Sequence, residues 1–156
     1  MNILLGLLFT FIVGLRQPYD CLVQSGWYTA AALQYAATIP VVHVPQGSRP
    51  EGGDRYQYTG QIIWVDNPVQ DNYFFCIVAR HEYGHAFDDL YGWRSMSLEL
   101  ATATKNYGLN IGWTTLYSWP INSEKYADMN TDYPCNLLPY IRYFPQFDFR
   151  KACRLR

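Results

Sequence analysis

The stretch His81-Glu82-Tyr83-Gly84-His85 places two histidines four residues apart, with a glutamate directly after the first. In a helix of 3.6 residues per turn the two imidazoles lie on one face, and Glu82 lies about 100° around the axis. Such a pair forms part of a zinc site, which a third protein ligand and a water molecule complete. The motif therefore predicts that His81 and His85 bind Zn2+ and that Glu82 takes a proton from the water.

The residues around the motif favour a helix. Apolar side chains lie three, four and seven residues before the first histidine, at Val78, Ile77 and Phe74. The histidine face therefore continues as an apolar stripe that packs against another element. An Asp-Asn pair at 71–72 can cap the helix and Gly92 can end it, so the sequence predicts a helix over about 73–91.

Composition indicates one globular domain. The chain has 156 residues, 49% of them hydrophobic, and a formal net charge of −1. Its 12 lysines and arginines are balanced by 13 acidic residues and form no basic stripe, which argues against nucleic acid as a partner. The length is sufficient for a substantial hydrophobic core.

The N-terminal segment differs from the rest of the chain. Residues 3–15 form an apolar run that is shorter than the roughly 20 residues needed to span a bilayer. The run is typical of the core of a secretory signal. We therefore predict a signal peptide or membrane anchor over residues 1–20, with membrane association through 3–15. The domain that follows, 21–156, is then secreted or extracytoplasmic, or else membrane-anchored. A buried N-terminal helix or strand is the alternative.

The four cysteines are far apart and show no C-x-x-C spacing, so a structural zinc site built from them is not expected. In an exported protein one or two disulfides are expected instead. Four cysteines allow three complete pairings, and the sequence does not choose among them. Cys135 and Cys153 are the local candidate pair, and Cys76, in the histidine helix, is alternatively a buried thiol.

The order of segments predicts an α+β fold with a small mixed sheet. An alanine-rich helix over 21–39 precedes a short β-branched strand at 41–44. Residues 56–66 alternate as a hairpin or bulged strand, either at the edge of the sheet, where an extended peptide could pair with it, or at its centre. Helices are predicted at about 95–105 and from Glu124, and short helices in the proline-rich tail.

A third ligand is not obvious from spacing. The one other histidine, His43, lies in a strand far upstream, and the metzincin pattern, which needs Gly at 88 and His at 91, is excluded by Asp88 and Tyr91. An acidic ligand is therefore expected. Asp88 and Asp89 are constrained because they lie on the histidine helix, which leaves Glu99, Glu124, Asp128 and Asp132.

The segment from His81 to Asp89 resembles the active-site helix of the anthrax lethal factor catalytic domain and its relatives, which include the secreted Pro-Pro endopeptidases. These are zinc metallopeptidases with a glutamate as third ligand. In that family the glutamate lies on a later helix, seven residues after a tyrosine and often four before an acidic residue. This chain has Tyr117, Glu124 and Asp128 at those spacings.

The resemblance implies a zincin-like metallopeptidase domain with a helical C-terminal subdomain, in which zinc is held by His81, His85 and Glu124. It also implies that Glu82 is the general base and that Tyr117 donates its hydroxyl to the oxyanion. Asp88 and Asp128 are candidates to orient an imidazole.

The sequence thus favours a zinc-dependent endopeptidase acting on a peptide or protein substrate. One alternative is a non-catalytic secreted zinc-binding or interaction module, which needs neither the glutamate of the motif nor the downstream tyrosine. Another is a membrane-anchored or assembly protein in which the His-Glu-x-x-His pattern arises by chance.

Overall fold

The computed structural model describes residues 17–48, 56–59, 61–67, 73–92, 94–104 and 122–154. These residues form nine regular helices and strands, one of which carries the histidine motif. Within those ranges they are α1 (Pro18–Ser25), α2 (Ala30–Thr38), β1 (Val41–Pro45), β2 (Tyr56–Thr59), β3 (Ile62–Asn67), α3 (Tyr73–Leu90), α4 (Leu98–Ala103), α5 (Asn122–Met129) and α6 (Phe149–Cys153). Short 3-10 segments cover Arg94–Met96 and Pro134–Tyr143. The predicted α+β class with a small mixed sheet is confirmed.

The helix predicted over 21–39 is two helices, so that prediction was wrong. Gly26 ends α1 in the left-handed conformation, with a φ of 68°, which glycine adopts without steric cost. Thr29 then begins α2, where its hydroxyl accepts a hydrogen bond from the backbone N–H of Ala32. The alanines begin only at residue 30, so the predicted helix had been extended back across the glycine that ends α1 and the threonine that caps α2.

The central strand of the sheet is β3. It pairs in parallel with β1, from Val41 opposite Ile63 onward, and antiparallel with β2, where Tyr58 lies opposite Ile63. Residues 56–66 therefore supply both an edge strand and the centre of the sheet, as a hairpin. Ile63 and Val65 are fully buried and turn one face of β3 towards the core.

Helix α3 agrees with the predicted 73–91 to within one residue at its end. It lies close against α5 at Gly84, where a Cβ atom would be 2.7 Å from Ala127 Cα and 3.1 Å from Ala127 O. Real Cβ atoms do not approach backbone so closely. Glycine costs about 1 kcal/mol against alanine inside a helix, but at position 84 it allows α5 to lie directly against the histidine helix.

Two disulfides join elements of the fold. Cys21 of α1 is bonded to Cys76 of α3, and Cys135 is bonded to Cys153 of α6. The second pairing agrees with the sequence prediction. The interpretation of Cys76 as a free buried thiol was wrong, because the packing of α1 against α3 brings Cys21 to it across 55 residues of chain.

The predicted signal or anchor lies mostly outside the described residues, since residues 1–16 are not among them. Helix α1 begins at Pro18, so the predicted boundary after residue 20 falls inside this helix. Among the helices that the structure describes, none is both long and apolar enough to cross a membrane.

Candidate metal centre

The two histidines of the motif meet on one face of α3. His81 Nε2 and His85 Nε2 are 3.2 Å apart, and the planes of the two rings are at 83° to each other. His81 is buried, with 7% of its surface exposed. The helix therefore directs one nitrogen from each ring at a shared point.

Glu124, in the first turn of α5, brings its carboxylate to the same point. Its Oε2 lies 3.2 Å from His81 Nε2, and its Oε1 lies 3.4 Å from His85 Nε2. With one donor atom taken from each residue, the three atoms lie within 4.8 Å of one another. Residues that are far apart in the sequence thus form one compact group of donors.

The chemistry of this group fits zinc. Two imidazole nitrogens and one carboxylate oxygen are a ligand set of catalytic zinc sites, in which a fourth position stays open. Donors about 2.0 to 2.1 Å from a tetrahedral ion are about 3.3 Å from each other. His81 Nε2 lies at that spacing from both His85 Nε2 and Glu124 Oε2, 3.2 Å in each case. His85 Nε2 lies at a similar distance, 3.4 Å, from the other oxygen of the same carboxylate, Oε1.

Asp128 fixes the orientation of the first imidazole. Its Oδ1 lies 2.8 Å from His81 Nδ1, and its side chain is buried. A carboxylate at Nδ1 holds the proton on that nitrogen, so the lone pair of Nε2 is directed at the donor group. Since α5 has Glu124 and Asp128 one turn apart, a single helix supplies both contacts with His81.

Within the donor group, His81 and Glu124 shift each other's pKa values. Burial lowers the pKa of His81, but hydrogen bonds with Asp128 and Glu124, together with the nearby charge of Glu82, outweigh it and raise the pKa to about 10. Hydrogen bonds with His81 and His85 hold the pKa of Glu124 well below its usual value, against the opposing effect of burial. The carboxylates therefore stabilise positive charge at this position, whether it is a proton or a metal ion.

Glu82 is buried beside the donor group, with 8% of its surface exposed. Its Oε2 accepts a hydrogen bond of 2.6 Å from the backbone N–H of Tyr58, in the edge strand β2. The carboxylate of the predicted general base is thus held between the histidine helix and the sheet.

The remaining acidic residues have other partners. Asp88 accepts hydrogen bonds from the backbone N–H of Ser95, at 2.9 Å, and from its hydroxyl. Glu99, the rival third ligand, has a side chain that is 63% exposed and is paired with Arg142. Asp132 accepts hydrogen bonds from the Tyr133 N–H and the Asn136 side chain.

The structure thus brings together His81, His85, Glu82, Glu124 and Asp128, and it places Asp88 against Ser95. An imidazole-orienting role for Asp88 stays a prediction. Tyr117 lies outside the described residues, so its role also stays a prediction.

Sequence reasoning missed Tyr58. This residue donates its backbone N–H to Glu82 and its hydroxyl to Asp89 Oδ2, at 3.0 Å. No motif marks a tyrosine in a short strand 24 residues before its partner, and a backbone donor carries no side-chain signal at all. The one indication of this contact in the sequence was the short distance between the hairpin and α3.

Comparison with protein-family models, with curated proteins and with solved structures found no match to this chain.

Proposed function

We propose that this chain is a zinc-dependent endopeptidase with a zincin-like catalytic domain and a glutamate as third zinc ligand. One observation carries the proposal: the nitrogens of His81 and His85 converge with the carboxylate of Glu124 at separations suited to zinc. The His-Glu-x-x-His motif alone can arise in a sequence by chance. Convergence of a residue from a separate helix on both histidines is not expected of a chance pattern.

His81, His85 and Glu124 hold the ion in this proposal, and Asp128 keeps His81 in the tautomer that can bind it. When bound, zinc supplies Lewis-acid chemistry that lowers the pKa of water from about 15.7 to about 7 and polarises a carbonyl oxygen.

Glu82 moves the proton. Its carboxylate accepts a proton from the attacking water as the C–O bond to the substrate carbonyl forms. It then returns that proton to the amide nitrogen as the C–N bond breaks. By the resemblance to the lethal factor family, the hydroxyl of Tyr117 stabilises the oxyanion of the tetrahedral intermediate.

The substrate is a peptide or protein. Strand β2 pairs on one side with β3, and an extended chain could pair with those outward backbone groups of β2 that Glu82 does not already occupy. The two disulfides support a secreted or extracytoplasmic location, since such bonds persist in oxidising compartments. Export would depend on the N-terminal segment, either as a signal or as an anchor.

The test is Glu82→Gln, which removes the base but keeps the size and hydrogen-bonding capacity of the side chain. We expect this variant to bind stoichiometric zinc and to keep its unfolding midpoint. We expect the rate at which it hydrolyses a mixed peptide library to fall by about 100-fold to 10,000-fold. Glu99→Gln is the matched control and is expected to keep full activity. Full activity of the Glu82 variant would exclude the mechanism. A wild-type protein that binds zinc but cleaves nothing would favour the non-catalytic zinc-binding module.

A further inference from the structure

The edge strand β2 is attached to the histidine helix at two points by one residue. The backbone N–H of Tyr58 donates to Glu82 Oε2, and the hydroxyl of the same residue donates to Asp89 Oδ2 at 3.0 Å. Glu82 and Asp89 are seven residues apart, so they lie two turns apart on one face of α3. The strand therefore crosses this face with both ends of Tyr58 anchored to it.

The direction of the N–H follows from the strand register. Tyr58 lies opposite Ile63 in the antiparallel pair, and the N–H of Ile63 donates to the Pro40 carbonyl, on the other side of β3. The pair of Tyr58 and Ile63 is thus one whose backbone groups point away from each other. The Tyr58 N–H faces outward from the sheet, where Glu82 accepts it.

The hydroxyl contact is well supported. Burial raises the pKa of Tyr58 above its ordinary value, and the hydrogen bond with Asp89 raises it further, so the phenol stays protonated and can donate. Tyr35 of α2 lies beside this pair, and its own hydroxyl donates to the Ala86 carbonyl of α3. The hydroxyls of two tyrosines, one on α2 and one on β2, thus donate hydrogen bonds to the same part of α3.

We propose that Tyr58 is a positioning residue for the general base. The hydrogen bond from its hydroxyl to Asp89 fixes the position of β2 along α3, and this position brings its backbone N–H to Glu82 Oε2. One carboxylate oxygen is then fixed, and Oε1 is left for proton transfer. The inference rests on the proposed function for its catalytic consequence, but the positioning itself is a property of the fold. A carboxylate held in one orientation loses less entropy in reaching the reactive geometry.

The experiment compares Tyr58→Phe and Asp89→Ala with Tyr133→Phe in the zinc-loaded full chain. Tyr133→Phe is a matched control, because its exposed hydroxyl donates to the Ala152 carbonyl, remote from this contact. The first measurement is hydrogen exchange of the Tyr58 amide. We expect about fivefold to tenfold faster exchange in the first two variants and no change in the control, the size expected for losing one hydrogen bond. Unchanged exchange in both variants overturns the proposal.

The second measurement is the kinetics of peptide hydrolysis. We expect kcat to fall about tenfold in Tyr58→Phe and Asp89→Ala, with KM and zinc affinity within about twofold of wild type. The double variant should be no worse than Tyr58→Phe alone, because the hydroxyl bond to Asp89 is already lost in that variant. Asp89→Asn, which keeps an acceptor for the hydroxyl, should recover most of the loss. A fall in zinc affinity equal to the fall in kcat would overturn the positioning role.

The two proposals fail separately. Amide exchange requires no turnover, so it tests the role of Tyr58 even if the wild-type protein cleaves no peptide. An inactive wild-type protein with the expected exchange pattern would contradict the proposed function and leave the contact between β2 and α3 in place.

Discussion

His81 Nδ1 and Asp128 Oδ1 lie 2.8 Å apart, although 47 residues separate them in the sequence. This bond ties the helix with the two histidines to the helix with the third donor. It also selects the tautomer of His81 in which Nε2 carries no proton and can bind a metal.

Replacing Asp128 by Ala is expected to lower zinc affinity about 10-fold to 100-fold, as measured by competition with a chromophoric chelator. The His81 ring would keep its place on α3 but lose the acceptor that holds its proton on Nδ1. Asp132→Ala is the control, because the Asp132 carboxylate accepts hydrogen bonds from its neighbours in the chain, the Tyr133 N–H and the Asn136 side chain. Equal affinity of the Asp128 variant and wild type would contradict the orienting role.

Replacing Glu124 by Ala removes a donor itself and should have the larger effect. We expect zinc affinity to fall by more than about 100-fold, beyond the usual cost of losing an outer hydrogen bond. Glu99→Ala should retain one equivalent of zinc, since Glu99 is paired with Arg142 at the surface. Elemental analysis of the dialysed proteins measures the zinc content of both variants. Stoichiometric zinc in the Glu124 variant would remove this residue from the ligand set.

Gly84→Ala is expected to destabilise the protein, although alanine is favoured over glycine by about 1 kcal/mol in an ordinary helix. The new Cβ would meet the backbone of Ala127 at 2.7 Å, and only a displacement of α5 could relieve that contact. We expect the free energy of unfolding to fall by about 1 to 3 kcal/mol, the range for overpacking.

Zinc affinity should fall in the same Gly84 variant, because α5 carries Glu124 and Asp128. Urea unfolding and chelator competition measure the two effects. Gln34→Ala, at an exposed position of α2, should change stability by no more than about 0.5 kcal/mol. A Gly84 variant as stable as wild type would show that α5 does not lie against α3 in this way.

The two disulfides should contribute unequally to stability. Closing the longer loop, between Cys21 and Cys76, is worth about 4 kcal/mol in the chain-entropy view, against about 3 kcal/mol for the shorter loop between Cys135 and Cys153. Alanine at both cysteines of each pair, with urea unfolding under identical conditions, tests the order. A larger loss of unfolding free energy without the Cys135–Cys153 bond, or no loss without the Cys21–Cys76 bond, would contradict the structural role of the link between α1 and α3.

The local parts of the fold could be predicted from the sequence. Apolar residues at helical spacing before His81 predicted α3, because side chains three and four apart share a helix face whatever lies elsewhere. The hairpin at 56–66 followed from alternation. The break between α1 and α2 was missed because the helical pattern of the alanine-rich stretch, which begins at residue 30, was extended back across Gly26 and Thr29, whose turn and cap separate the two helices.

The donor group was only partly predictable. Spacing left Glu99, Glu124, Asp128 and Asp132 open as a third ligand, and the family resemblance favoured Glu124. The structure places Glu124 against both histidines and Glu99 at the surface beside Arg142. The partner of Cys76 and the hold of Tyr58 on Glu82 had no sequence signal, since each depends on the packing of two elements.

By itself, the sequence determined the relation between His81, Glu82 and His85, because residues within one helical turn are positioned by backbone hydrogen bonds alone. Tertiary structure decided which carboxylate joins them, which residue orients His81 and what holds Glu82. Those contacts need α5 and β2 to pack on α3, and the α5 contact depends on a glycine at position 84. Packing between distant segments is set by the shapes of whole surfaces, which no local pattern of residues encodes.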